Sequence, residues 1–262
     1  MIAVRGASGL GDSVYLRPII EHFVRAGRDP VALSNYPEVF DGAGCRVEPF
    51  RRERVDVVAH YVMGKGRQGT TQFEDMALAA GITERVPFGF AWPVKNPELV
   101  AGVRARAAGR PVVLVHGGRR PMARTDGFGM ELLPEPGAFE AALAGLAGCY
   151  LVGIGRDEPL YRLEVDEDLN GETTVTDLLD LFASCDGVLA QCSFAVPMAE
   201  VFDRPLLVIW AARGLAVNNL YIRQITPAKI LSKTTSRHVV DDRQPEQITE
   251  AARAFSDALR SR

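Results

Sequence analysis

The residues best suited to chemistry stand near the start of the chain. Gly6-Ala7-Ser8-Gly9-Leu10-Gly11-Asp12 follows a short apolar run, Ile2 to Val4, and leads into Val14, Leu16, Ile19, Ile20, Phe23 and Val24 at helical spacing. Strand, glycine turn and helix in that order bring backbone N–H groups and the positive helix end to one place, where a phosphate or polar substrate can approach closely. The glycines read GxxGxG, not the dinucleotide order, and the second strand ends at Ser34 and Asn35 where an acidic residue would hold a ribose, so the nicotinamide reading is weak. No Gly-Lys-Ser/Thr follows, which removes a Walker loop. Asp12 has two readings that compete for the same oxygen lone pairs: N-cap of the first helix, or general base toward an acceptor hydroxyl.

A second group follows the apolar strand Pro111 to Val115. Gly117, Gly118, Arg119, Arg120 and Arg124, with Thr125 and Gly127, combine flexible backbone with three guanidiniums. Such a loop suits a diphosphate, because Arg forms bidentate charge-assisted bonds to phosphate oxygens; it equally suits a solvated loop paired with surface carboxylates. Ser193 precedes a helix whose first-turn N–H groups bind anions, or simply caps that helix. Asp157 and Glu158 follow a strand and could hold ribose hydroxyls or form a turn before Pro159; Glu158 is taken as the ribose ligand.

Other chemically competent residues carry less. His116 ends a buried strand and reads as a satisfied structural histidine. Gly66, Arg67, Gln68, Thr70 and Thr71 read as an exposed polar loop, and Trp210 as a core residue that could otherwise stack on a sugar or base. Asp166-Glu167-Asp168 reads as a solvated charge run, and without an Asp-x-Asp signature near a strand end the expected reaction uses no metal and no cofactor.

The elements that must position these residues are those of a folded α/β chain. The 262 residues are 47% hydrophobic and 24% charged, which rules out disorder, collagen and coiled coil. Thirty basic against thirty-three acidic residues give a net charge of -3, without the footprint of a dedicated nucleic-acid binder. Cys45, Cys149, Cys185 and Cys192 form no CxxC pair and read as small apolar residues rather than zinc ligands. Met1 runs straight into an apolar triplet without a basic leader, and no run approaches the roughly 20 residues of a membrane span, so a cytoplasmic protein with reduced thiols is expected.

Short apolar runs alternate with helical patterns along the whole chain. Strands are read at Val31 to Leu33, near Val47, and from Val55 to Ala59, with a helix over Phe73 to Ala80. After the Pro-rich stretch carrying Pro87, Trp92, Pro93 and Pro97, a short helix leads to Gly109, and a domain boundary is placed near residue 108. Beyond it come strands at 111–115, 150–154, 187–190 and 206–210. Helices carry Phe139 to Leu146, Val175 to Ala183, Val196 to Phe202 and Pro245 to Leu259. The expected organisation is residues 1–108 and 109–262 as two Rossmann-like units with parallel sheets facing a central cleft, the last helix free to pack back on the first unit.

Four places resemble the family 9 glycosyltransferases, typified by the ADP-heptose:lipopolysaccharide heptosyltransferases. They are Gly9-Leu10-Gly11-Asp12 with Leu16-Arg17-Pro18; Val112 to Val115 with its Gly- and Arg-rich loop; Val152-Gly153-Ile154-Gly155-Arg156-Asp157-Glu158; and the run from Leu169 through Thr173-Thr174, Cys185-Asp186 and Cys192-Ser193 to Pro205-Leu206-Leu207-Val208. The resemblance spans nearly the whole chain and implies the GT-B fold. It implies an inverting, metal-independent transfer of a sugar from a nucleotide-diphosphate sugar to an acceptor hydroxyl, with Asp12 as base. Gly11, Gly117, Gly118, Arg119, Arg120, Arg124, Glu158, Cys192, Ser193 and Phe194 would bind the donor. The chain departs from the family where Asp-Ser/Thr-Gly and a later His give way to Cys192-Ser193-Phe194 and Pro197. A nucleotide-sugar-binding module without catalysis therefore stands as the alternative, and a Rossmann oxidoreductase as a third reading.

Overall fold

Ile2–Arg5 forms β1, and the glycine turn after it hands the chain to α1, Leu10–Arg25. The computed structural model describes residues 1–60, 71–117, 134–155, 163–191, 193–211, 237–239 and 242–262. Their contacts separate two units, Met1–Ala91 and the described residues from Trp92 to Arg262.

In the first unit β2 (Pro30–Leu33), β3 (Arg46–Glu48) and β4 (Val57–Val58) join β1 in a parallel sheet of order β3-β2-β1-β4. The strand read over Val55 to Ala59 is shorter than expected, and Val58 is exposed, because only Val57 and Val58 pair with β1. Helix α1 is buried continuously from Ser13 to Ile20, so its polar residues need internal partners. Arg17 finds them: its guanidinium donates to Glu21 at 2.9 Å, to the Val39 carbonyl at 2.8 Å and to the Ala91 carbonyl at 3.2 Å, and lies 3.9 Å over the Phe90 ring. Helix α2, Gln72–Ala79, starts on a capping box between Thr71 and Glu74 and stops before Gly81, whose φ of +79° only glycine adopts easily. Thr71 is thus a helix cap and not simply part of an exposed loop.

The second unit begins with α3 (Pro97–Ala107) and continues through β5 (Val112–His116), α4 (Pro136–Gly145), β6 (Tyr150–Gly153), β7 (Glu167–Asp168) and α5 (Val175–Ser184). It closes with β8 (Gly187–Gln191), α6 (Ala195–Val201), β9 (Leu206–Ile209), β10 (Arg237–Val239) and α7 (Pro245–Arg260). All pairings are parallel in the order β10-β9-β8-β5-β6-β7. Read from the β7 edge and numbered along the unit, this is third-second-first-fourth-fifth-sixth, the strand order of dinucleotide-binding folds; the first sheet repeats its first four places. One face carries Val113, Val115, Leu189, Leu207 and Ile209 against Phe139 of α4 and Ile248, Phe255 and Leu259 of α7. Gly145 lets α4 and α7 meet: a Cβ there would stand 2.5 Å from Ala252 and 2.6 Å from the Thr249 carbonyl. The last helix therefore packs on its own unit, against α4 and the second sheet.

Residues 92–107 also group with the second unit, so the boundary falls after Ala91 and not near 108. The reason is Asp180 of α5, fully buried, which accepts from the Trp92 indole at 2.6 Å, from the Lys95 N–H at 3.0 Å and from the Asn96 N–H at 2.6 Å. Asn96 caps α3 and donates to Asp177 at 2.9 Å, while Arg104 pairs with Asp186, which also takes the Val112 N–H at 2.7 Å. Burial alone would raise the Asp186 carboxyl, but the Arg104 bond and the Val112 N–H hold it below the usual carboxylate range. The charge run Asp166-Glu167-Asp168 is likewise engaged. Asp166 accepts from Leu151 N–H at 2.8 Å and Arg110 at 3.0 Å, and Glu167 takes the Tyr150 hydroxyl at 2.9 Å and pairs with Arg106. These bonds seat β7 at the sheet edge.

Candidate functional site

In each sheet the chain order reverses beside the first strand, between β1 and β4 and between β5 and β8. The crevice beyond the carboxyl ends of such strands is where open α/β sheets bind ligands. Each edge is built from residues singled out by the sequence.

At the first edge Gly9 is the N-cap of α1, with φ -83° and ψ 160°, and Asp12 is the third residue of the helix. Its Oδ2 reaches back to accept the Gly9 N–H at 3.0 Å. The N-cap reading of Asp12 is corrected accordingly: the helix begins at Leu10, before the apolar periodicity starts, and the carboxylate closes the turn from inside. A Cβ at position 9 would lie 2.7 Å from that oxygen, so only glycine leaves the carboxylate where it is. Gly11, half-buried, lies in the same first turn. Beside it Ser13 and Ser34 share a buried hydroxyl pair at 2.8 Å, and Ser34 also takes the Tyr36 N–H at 2.9 Å. Ser34 thus occupies the end of β2 with its hydroxyl committed inward, where a dinucleotide fold presents a ribose-binding carboxylate.

The second edge gathers the ends of β5, β6, β7 and β8. Gly117 directly follows β5. Gly118, Arg119, Arg120, Arg124, Glu158 and Cys192 lie outside the described residues. Gly155, at φ +148°, leaves the end of β6 in a conformation side chains rarely adopt, and a Cβ there would stand 2.8 Å from Asn170 Oδ1 and 3.6 Å from His116 Nε2. The Gly155 carbonyl takes the Gly171 N–H at 2.9 Å, and Asp168 holds the Asn170 amide at 2.6 Å, so the β6 and β7 ends form one braced rim.

His116 is 6% exposed, and burial pushes its imidazole down to about 4, so the ring is neutral. Its Nδ1 is buried without a hydrogen-bond partner among the described residues. Phe194 meets the ring edge-on at 4.7 Å and approaches Phe182 at 6.4 Å. Ser193 Oγ accepts the Ala195 N–H at 3.2 Å, and Phe194, not Ser193, is the N-cap of α6. Pro197 sits in the first turn of α6, where a missing N–H costs no helical bond. Gln191, which sequence reasoning passed over, is 5% exposed with Oε1 lacking a partner among the described residues. Its signal was a polar residue closing the otherwise apolar run Gly187-Val188-Leu189-Ala190. Burial pushes the Cys185 thiol up to about 12 and also raises Cys45 and Cys149, consistent with inert packing. Among the described residues no three His, Cys, Asp or Glu side chains cluster as metal donors, and no helix is long and apolar enough to cross a membrane.

No family model matches the chain, and no curated protein matches it. Solved structures do. The E. coli ADP-heptose LPS heptosyltransferase II aligns over 98% of each chain with a TM-score of 0.59 and 14% identity. A glycosyl transferase family 9 protein from Veillonella parvula aligns over 98% of this chain and 97% of its own with a TM-score of 0.65 and 9% identity. The fold is that of the family 9 glycosyltransferases, GT-B. E. coli heptosyltransferase WaaC, solved with ADP, has the same GT-B fold over 100% of this chain and 99% of its own, with a TM-score of 0.54 and 11% identity. Against that glycosyltransferase pattern the Phe194 departure has a visible place: a ring packed on His116 where the family resemblance implies a glycine.

Proposed function

We propose that this protein is an inverting glycosyltransferase that moves a sugar from a nucleotide-diphosphate sugar to an acceptor hydroxyl. The observation that supports it most is the pairing, within one GT-B chain, of a carboxylate in the first turn of α1 with a second sheet in dinucleotide-binding order. Asp12 serves as the base. As the acceptor oxygen bonds to the anomeric carbon, its proton passes to Asp12, the bond from that carbon to the diphosphate oxygen breaks, and the nucleoside diphosphate leaves. The Gly9 N–H orients the carboxylate for this role. The donor is assigned to the second unit, with its diphosphate toward Gly117, Gly118, Arg119, Arg120, Arg124 and the Cys192-Ser193-Phe194 turn, and a ribose near Glu158. Arginines there would stabilise charge on the departing diphosphate without a metal.

E. coli WaaC has been solved with ADP and with ADP-2-deoxy-2-fluoro heptose, so adenine nucleotide sugars head the donor panel. Nucleotide release measured across that panel, with and without EDTA, tests the proposal. Turnover with inversion at the anomeric carbon, undiminished by EDTA, is the expected result; no release with any donor and acceptor contradicts it. Phe194 favours one second reading, nucleotide-sugar binding without transfer, which predicts calorimetric binding of donors and no release.

A further inference from the structure

The chain leaves the first unit at Ala91 and enters the second at Trp92. On each side of that passage a buried charged side chain ties the segment to its own unit. Before it, Phe88 stacks on Tyr15 at 5.1 Å and meets Phe73 at 4.7 Å, Phe90 lies 3.9 Å from the Arg17 guanidinium, and the Ala91 carbonyl accepts from Arg17 Nη2 at 3.2 Å. Arg17 can hold the chain there because it is buried in α1 and anchored by Glu21 and the Val39 carbonyl. After the passage, Asp180 of α5 accepts from the Trp92 indole and from the Lys95 and Asn96 N–H groups, and the Asn96 side chain caps α3.

These bonds leave little of the segment free to turn. The peptide between Ala91 and Trp92 is planar, so motion there is confined to the torsions that flank it, ψ of Ala91 and φ of Trp92. The next torsions are stiff for a covalent reason: Pro93 fixes its own φ, and its ring restricts Trp92 ψ to the extended range. The Ala91 carbonyl lies on one side of the flexible pair and the Trp92 indole on the other, each held within a different unit. Ala91 is exposed and carries only a methyl group, so its side chain does not brace the turn. Relative motion of two units is commonly absorbed by a few loop torsions, and at this crossing the sequence and the two anchors reduce them to one pair.

We propose that the Ala91–Trp92 peptide is the hinge of this crossing, and that Arg17 and Asp180 are positioning residues that confine it there. Each unit carries its own part of the connecting segment as a rigid body, and a change of orientation between the units is taken up by ψ of Ala91 and φ of Trp92. This does not rest on the glycosyltransferase reading, and the absence of sugar transfer would leave it standing.

The test is backbone N–H residual dipolar couplings of the deuterated full chain, which report the alignment of each unit separately. Rigidly joined units share one alignment; hinged units align to different degrees, and that is the result expected of wild type. Ala91→Gly frees ψ at the hinge and should widen the difference at least about twofold. Val94→Gly, at another exposed position three residues on, should leave it as in wild type, because Asp180 holds the segment on both flanks. In Asp180→Ala the Lys95 and Asn96 amides should exchange at least about tenfold faster, and Val94→Gly, silent before, should now widen the difference. Asp180→Asn keeps an acceptor oxygen and should restore most of the protection. Should Asp180→Ala fail to fold, the comparison of Ala91→Gly with Val94→Gly decides by itself. One common alignment in both wild type and Ala91→Gly overturns the proposal. A Val94→Gly chain as loose as Ala91→Gly overturns it as well, and so does a folded Asp180→Ala chain whose Lys95 and Asn96 amides exchange as in wild type.

Discussion

The carboxylate of Asp12 and the backbone N–H of Gly9 form a 3.0 Å hydrogen bond that closes the turn between β1 and α1. The backbone at Gly9 lies in a region open to alanine, yet its Cβ would stand 2.7 Å from the bonded oxygen. Gly9→Ala is therefore expected to displace the carboxylate while costing the fold only about 1 kcal/mol, the scale of a weakened cap. Transferase turnover should fall at least about tenfold against a melting temperature shifted by a few degrees. Full turnover in Gly9→Ala would show that the orientation of Asp12 is unimportant.

Asp180 is the buried acceptor for three donors of the segment that enters the second unit. Asp180→Ala leaves the Trp92 indole and two backbone N–H groups without it, a loss on the order of 3 kcal/mol for charge-assisted bonds. Urea unfolding should show that destabilisation. Trp92 fluorescence should also change in the native state, since its indole loses the bond to Asp180. A variant within about 0.5 kcal/mol of wild type, the range of an ordinary surface substitution, would contradict the role given to Asp180.

His116 fixes a pH dependence. Its imidazole is pushed from 6.5 down to about 4 by burial, so between those values the unfolded chain binds a proton that the folded chain does not. The sign follows: the contribution is complete above pH 6.5 and is lost as pH falls toward 4, by roughly 3 kcal/mol in total. Stability measured from pH 7 to pH 4.5 should fall more steeply in wild type than in His116→Asn. Identical slopes would mean that the ring titrates normally in the folded protein.

The sheets were largely legible because strands such as Val112-Val113-Leu114-Val115 and Leu206-Leu207-Val208-Ile209 are uninterrupted apolar runs, as parallel strands buried on both faces must be. Helix α7 was legible from its amphipathic spacing, but not its docking, which depends on the absence of a side chain at Gly145 on another helix. Strand β7 was not readable: two acidic residues pair with β6, Glu167 being held by Tyr150 and Arg106 and the preceding Asp166 by Arg110. The unit boundary was misplaced because Trp92 and Asn96 look like a proline-punctuated linker, while the group that claims them lies 88 and 84 residues away at Asp180. At the first edge the turn and Asp12 were visible as a local motif. At the second, the burial of His116, which keeps its ring neutral, and of Gln191, whose Oε1 has no partner among the described residues, depends on the packed sheet, which local sequence does not encode.

The most direct measurement is the turnover number of Asp12→Asn beside wild type, at saturating donor and acceptor, with donor affinity and thermal stability recorded on the same preparations. Asparagine keeps an oxygen for the Gly9 N–H but cannot take up a proton. A fall of about 10²- to 10⁴-fold in turnover, with donor binding and stability preserved, is the predicted result. An Asp12→Asn protein that releases nucleotide as fast as wild type would contradict the assignment of Asp12 as the base.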